Sequence, residues 1–236
     1  MNKKTILIIG TNSSIGYSIA KSFAVKNYDL IITSKNSDKL AETASNLSSY
    51  SKSVKFIAAD FNNPDDINSL IQFVKKSSTQ LDVIINAAGV YHNGDKAFSN
   101  MDFVTYSDID VQNILTVGIQ APMIIFKNLV SLIPQYGKIV NISGTFEAGA
   151  KGWLPYYVSK KALETCTIGL SHELIDKKIQ VNCISPSDTL TDSYKKYFPE
   201  YALPEKCLDP DEISDLIFQI ISNDNLNGQI IELTKN

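Results

Sequence analysis

Apolar residues along this chain follow two alternating rhythms. Short runs dense in Ile, Leu and Val, such as Ile6-Leu7-Ile8-Ile9 and Val83-Ile84-Ile85, are separated by longer stretches whose apolar positions recur at helical spacing. The runs predict strands over 5–10, 29–34, 54–60, 81–86, 138–143, 180–185 and 229–233. The stretches predict helices over 15–26, 38–47, 64–76, 109–133, 156–176 and 210–222, and Pro64 and Pro210 suit first-turn positions, where no N–H is needed. Strands apolar on both faces belong in a parallel sheet covered by helices on both sides. The expected fold class is therefore α/β: one doubly wound domain over 1–236 with a seven-stranded parallel sheet. Two long polar interruptions, 90–102 and 187–209, each follow a strand, at the sheet edge where ligands bind in such folds.

Composition narrows the functional classes. Of 236 residues, 44% are hydrophobic and 20% charged, which argues against disorder and against a coiled coil. With 22 basic and 25 acidic residues the net charge is −3, and the scattered lysines form no basic stripe, so no nucleic-acid partner is expected. The 114–133 stretch is interrupted by Gln120, Pro122, Lys127 and Asn128, so no membrane span is expected. The apolar run before Gly10 is too short for a secretion signal. Cys166, Cys183 and Cys207 are odd in number and far apart, which suggests neither a disulfide framework nor a metal site. A cytoplasmic location follows as the expectation.

The first strand runs into Gly10-Thr11-Asn12-Ser13-Ser14-Ile15-Gly16 and then a helix, aiming unpaired N–H groups and a positive dipole end at an anion. Gly10 permits a tight turn and Gly16 a close backbone approach. A serine-capped helix start with no ligand has the same local pattern. After the second strand, where a carboxylate would bind a ribose 2′-OH, the chain has Ser34 and Lys35. A hydroxyl beside an ammonium attracts a 2′-phosphate, so NADP(H) is favoured over NAD(H); the plainer alternative is a solvated loop lysine.

Tyr156 and Lys160 lie one helical turn apart, as do Tyr157 and Lys161. Free tyrosine has a pKa of ~10, and a neighbouring cation favours the phenolate. Such spacing also arises by chance, so these residues alone leave both pairs open.

Taken together, these segments resemble the short-chain dehydrogenase/reductase family of the single-domain type over nearly the whole chain. Residues Gly10 to Gly16 resemble its TGxxxGxG loop, Asp60 its acidic residue at the adenine, and Asn86-Ala87-Ala88-Gly89 its NNAG segment. Tyr156 to Lys160 resemble its YxxxK, and Val181-Asn182-Cys183-Ile184-Ser185-Pro186 with Thr191 its VNxIxPG…T segment. Ser159-Lys160-Lys161-Ala162 matches the family's Ser-Lys-x-Ala and selects Tyr156 over Tyr157.

The resemblance implies a Rossmann-like fold and an NAD(P)-dependent enzyme acting on CH–OH and C=O groups of a small molecule: a ketone, an aldehyde or a 3-oxoacyl thioester. It implies that Tyr156 protonates the carbonyl oxygen while a nicotinamide delivers hydride to the carbon. Lys160 would lower the pKa of the tyrosine and bond the nicotinamide ribose. Ser143, 13 residues before the tyrosine, would bond the carbonyl oxygen. The cofactor would lie against Gly10, Asn12, Ser13, Ser14, Ile15, Gly16, Ser34, Lys35, Asp60, Phe61, Asn86, Ala87, Ala88, Gly89, Tyr156, Lys160 and Thr191. Residues 187–209 would form the substrate loop, and the helices over 109–133 and 156–176 would pair in a homodimer or homotetramer.

Four positions depart from the family pattern. Read strictly, Asn141-Ile142-Ser143-Gly144 puts Gly144 at the catalytic serine, with Thr145 as a substitute. Gly118 stands where an asparagine is expected, and Asn113 is too far along the helix to replace it. Ser14 replaces the middle loop glycine, where a left-handed conformation would cost ~1 kcal/mol and weaken cofactor binding. Ser187 replaces the glycine after Pro186. These losses motivate an alternative, a dinucleotide-binding regulatory or scaffold protein with decayed catalysis. A sugar-nucleotide epimerase is disfavoured, because little chain follows the sixth strand. His92 and His172 are assigned no chemistry. Trp153, Tyr194, Tyr197, Phe198 and Tyr201 suit either a substrate pocket or loop packing.

Overall fold

The computed structural model describes residues 3–51, 53–146 and 149–235. Seven strands, β1 (Thr5–Ile9), β2 (Asp29–Ser34), β3 (Val54–Ala58), β4 (Val83–Asn86), β5 (Lys138–Ile142), β6 (Gln180–Pro186) and β7 (Ile230–Leu233), form one sheet in the order β3-β2-β1-β4-β5-β6-β7. Every pairing is parallel, for instance Ile6 against Leu30 on one side and against Val83 on the other. The helices are α1 (Ser14–Val25), α2 (Ser37–Leu47), α3 (Pro64–Ser77), α4 (Asp108–Leu115), α5 (Ala121–Leu129), α6 (Leu154–Glu173), α7 (Asp192–Tyr197) and α8 (Pro210–Ile221).

Strand alternation divides the core between the two faces. Leu7, Ile9, Ile31, Ile84, Ile139 and Val181 face α3 and α5, whereas Ile6, Ile8, Ile32, Ile85, Val140 and Ile184 face α1, α2 and α8. The all-apolar runs in the sequence reflect this double coverage. The sense in which successive strands are added to the sheet reverses between β1 and β4, so a crevice opens beyond their C-terminal ends, beside Gly10 and Asn86.

Two predicted elements differ. The helix over 109–133 is interrupted by a π-helical turn at Thr116–Gln120 between α4 and α5. Residues 187–209 contain α7, capped by Thr191, whose Oγ1 accepts from the Tyr194 N–H at 3.0 Å. Its six residues are too few to show a helical period. The 25-residue stretch Asp108–Leu132 is long and apolar enough to cross a membrane, yet Ile114, Ala121, Ile125, Phe126 and Leu129 are buried inside the fold.

Candidate active site

The phosphate loop is built by close backbone contact. Gly10 has φ +88°, and a Cβ there would lie 2.8 Å from the Ala87 carbonyl oxygen; a Cβ at Gly16 would lie 2.2 Å from the oxygen of Gly10. Both positions exclude a side chain, and this brings the β1 and β4 ends together. Ser13 caps α1, its Oγ accepting from the Gly16 N–H at 3.0 Å and donating to the Gly10 oxygen at 2.9 Å. Ile15 packs on the core below. Ser14 corrects the sequence expectation: it is the first residue of α1 and is absent from the positive-φ positions, so its side chain carries no left-handed cost. Its Oγ instead accepts the Asp192 N–H at 3.0 Å, tying the loop to α7.

At the adenine end, the Ser34 Oγ accepts from the Asn12 N–H at 3.0 Å. Lys35, 71% exposed, forms an ion pair with Asp60 at 2.9 Å. Burial alone would raise the Asp60 pKa, but the bonds from Lys35 and Asn62 outweigh it and hold the carboxyl below its ordinary value. The cation assigned to a 2′-phosphate is thus held by the residue assigned to the adenine. Asp60, Phe61, Lys35 and Asn113 line one cleft of about 690 Å³.

At the centre, Tyr156 and Lys160 meet Gly89. The Lys160 Nζ lies 5.5 Å from the centre of the Tyr156 ring and donates to the carbonyls of Ile142 (2.9 Å) and Ala88 (3.3 Å). A Cβ at Gly89 would lie 2.8 Å from that Nζ and 3.8 Å from the Tyr156 ring. Asn86 and Asn141 brace this floor, with Asn86 donating to Asn141 at 3.1 Å and accepting from the Ala88 N–H at 3.2 Å. The expected depression of the Tyr156 pKa by Lys160 is not what this arrangement produces. Burial, and secondarily the neighbouring Tyr91, push the phenol above its ordinary value, leaving a neutral acid at physiological pH. Burial lowers the Lys160 ammonium to about 8, opposed by Cys183 and Glu164.

Ser143 is also close to this pair, but its hydroxyl turns towards α6. Oγ donates to Glu164 Oε1 at 2.9 Å and lies 3.3 Å from the Ile184 oxygen. Glu164 also accepts from Lys161 at 2.8 Å and from Ser185 at 3.4 Å. The Thr145 Oγ1 is directed at the Pro186 oxygen, 3.4 Å away. Glu164 went unnoticed in the sequence, although a carboxylate one turn after Lys160 on a buried helix face was a readable signal.

The Gly118 position is filled from the neighbouring helix. A Cβ there would lie 2.8 Å from both Cβ and Oγ of Ser159, so the missing asparagine side chain has no room. Asn113 turns away, as expected, accepting from Asn62 at 2.7 Å.

Aromatic rings cover Tyr156. Phe146, Tyr91 and Trp153 approach it at 5.7, 5.8 and 6.1 Å between ring centres, and Phe198 packs on Trp153 at 5.6 Å. The 90–102 loop and α7 are latched together: the Gly94 oxygen accepts from the Tyr197 hydroxyl (2.6 Å) and Lys196 (2.7 Å). Tyr201 is exposed.

Comparison with known proteins fits this geometry. The family model described as short chain dehydrogenase matches residues 4–202. An uncharacterized oxidoreductase of Staphylococcus aureus strain MW2 is 28% identical over 224 residues, covering 94% of this chain and 92% of that protein. A short chain dehydrogenase from Burkholderia cenocepacia J2315, solved in complex with NADP, superposes with a TM-score of 0.86 at 20% identity, over 99% of this chain and 97% of that one. A dehydrogenase/reductase from Sinorhizobium meliloti 1021 gives 0.85 at 22%, over 99% and 94%. With its parallel sheet, glycine-tight phosphate loop and Tyr156–Lys160 pair, the chain belongs to the short-chain dehydrogenase/reductase family of oxidoreductases.

Proposed function

We propose that this oxidoreductase uses NADP(H) to reduce the carbonyl group of a small ketone, aldehyde or 3-oxoacyl thioester, with Tyr156 as the general acid. The carrying observation is the meeting of Tyr156 and Lys160 at Gly89, where only a hydrogen leaves room for the Nζ. The residues present suit a dinucleotide. Asn12 Oδ1, in the phosphate loop, and Ser187 Oγ, just beyond the end of β6, are buried without a hydrogen-bond partner among the described residues. Gly10 to Gly16 would hold the pyrophosphate, Asp60 and Phe61 the adenine, Ser34 and Lys35 the 2′-phosphate, and Ala87 to Gly89, Lys160 and Thr191 the nicotinamide riboside. The bound nicotinamide would supply hydride to the carbonyl carbon.

The chain supplies the proton. Burial keeps Tyr156 protonated until a carbonyl oxygen gaining charge takes its proton, and the adjacent ammonium of Lys160 then stabilises the phenolate. The rings of Tyr91, Phe146 and Trp153 pack around the Tyr156 ring and give the transfer an apolar wall. The NADP complex of the Burkholderia relative supports the cofactor assignment. The decisive experiment is NADPH oxidation with a carbonyl panel that includes 3-oxoacyl thioesters, using wild type and Tyr156→Phe. Turnover lost in the variant is expected; no turnover with any carbonyl, or an unaffected variant, sinks the assignment.

A second reading draws on Ser143 facing Glu164 and on Ser159 filling the asparagine position. In it the chain binds the dinucleotide as a regulatory or scaffold protein without turnover, and robust catalysis rules it out. A homodimer is also proposed, through the apolar side chains left exposed on α4, α5 and α6, among them Ile109 (77% exposed), Met123 (51%), Val158 (43%) and Ile168 (44%).

A further inference from the structure

We propose that Tyr91 supplies the second hydrogen bond to the substrate's carbonyl oxygen, in the place where the family pattern has a serine. This rests on the assignment of Tyr156 as the acid.

Among the described residues, the end of β5 offers no free side-chain donor. A serine hydroxyl has one proton, and that of Ser143 is given to the carboxylate of Glu164, a bond of the stronger, charge-assisted kind. Re-aiming it would cost the buried Glu164 one of its three hydrogen bonds and leave Oε1 with only the long 3.4 Å contact to Ser185. Gly144 has no side chain, and the Thr145 hydroxyl is directed at the Pro186 carbonyl.

Tyr91 comes from the other side of the crevice, five residues beyond the end of β4. Its ring stands 5.8 Å from that of Tyr156 at 56°, and packing against Phe198 at 6.5 Å and Trp153 at 6.3 Å orients it. Burial holds the Tyr91 phenol above its ordinary value, with the side chains of Thr191 and Ser193 acting in the opposite sense, so Tyr91 keeps its proton. The two phenols are close enough for Tyr91 to help hold Tyr156 protonated. Because the ring of Tyr91 packs directly on that of the proposed acid, its hydroxyl is assigned to the same carbonyl oxygen that Tyr156 protonates.

Their roles divide by their neighbours. Tyr156 adjoins Lys160, so the negative charge left after proton loss is stabilised there. Tyr91 is ringed by His92, Trp153 and Phe198 and keeps its proton. In the reduction, hydride adds to the carbonyl carbon, the C=O π pair moves to oxygen, and that oxygen takes the Tyr156 proton. Tyr91 donates a hydrogen bond throughout and transfers nothing.

Tyr91→Phe keeps the ring and removes only the hydroxyl. With NADPH and 4-nitrobenzaldehyde as the first probe, followed by the carbonyl panel, it is expected to lower kcat by about 100-fold with a smaller change in KM, the low end of what removal of an oxyanion donor costs. Its melting temperature is expected to stay within a few degrees of wild type, and the loss is expected to exceed that of Ser143→Ala. A Tyr91→Phe rate within about twofold of wild type, or a larger loss in Ser143→Ala, overturns the proposal. Tyr156→Phe separates the two claims. If it is inactive while Tyr91→Phe is fully active, only the role of Tyr91 falls; if it is fully active, or wild type reduces no carbonyl, the acid assignment falls and Tyr91 with it.

Discussion

The hydroxyl of Ser143 donates to Glu164 Oε1 at 2.9 Å, so a strand end and a helix are joined through a buried carboxylate one turn beyond Lys160. A charge-assisted bond in such a site contributes about 1.5–3 kcal/mol. A double-mutant cycle of Ser143→Ala and Glu164→Gln, followed by urea denaturation, is expected to give a coupling energy of that size. Additive effects would show that the two side chains do not depend on each other.

Gly118 packs against Ser159 with no space for a methyl group. Alanine is the better helix former by about 1 kcal/mol, yet overpacking costs about 1–3 kcal/mol, so Gly118→Ala is expected to destabilise the fold or leave it little changed. A clear rise in melting temperature would contradict the tight contact. Because Ser159 precedes Lys160, activity is expected to fall as well.

Burial lowers the Lys160 ammonium from its ordinary 10.5 to about 8. Between those values the unfolded chain holds a proton that the folded chain has released, so stability rises with pH across that window. The burial penalty is fully present below about pH 8 and is relieved above it. The stability of wild type relative to Lys160→Met is therefore expected to move in favour of wild type by about 2 kcal/mol between pH 7 and 9.5. A difference flat in pH would place the titration elsewhere.

Lys35 is paired with Asp60, but an exposed ion pair contributes only about 0–1 kcal/mol and can be given up to a phosphate. Lys35→Asp is expected to weaken NADPH relative to NADH by at least about tenfold in fluorescence titrations. An unchanged preference would show that Lys35 does not read the 2′-phosphate.

Val158 and Ile168 lie exposed on α6. Val158→Arg combined with Ile168→Arg is expected to halve the particle mass in light scattering while preserving the circular dichroism spectrum. A wild-type chain that is already monomeric would remove this face as an interface.

Local information was enough for much of this molecule. Apolar runs such as Ile6-Leu7-Ile8-Ile9 suit burial on both faces of a helix-covered parallel sheet, so strand count, fold class and the positions of the longer helices were legible from periodicity, whereas α7 and the π turn at Thr116–Gln120 were not. The Gly10 loop and the Tyr156–Lys160 spacing were legible too, because a backbone approach and a helical turn are set within a few residues. Tertiary structure decided what depends on neighbours distant in sequence. Ser14 sits in a helix rather than a left-handed turn, Ser159 closes the space beside Gly118, and Lys35 turns to Asp60. Glu164, 21 residues from Ser143, takes the hydroxyl that the family resemblance assigns to a substrate. A hydroxyl or an ammonium bonds whichever partner the packed chain brings within about 3 Å, and no pattern along the sequence carries that distance.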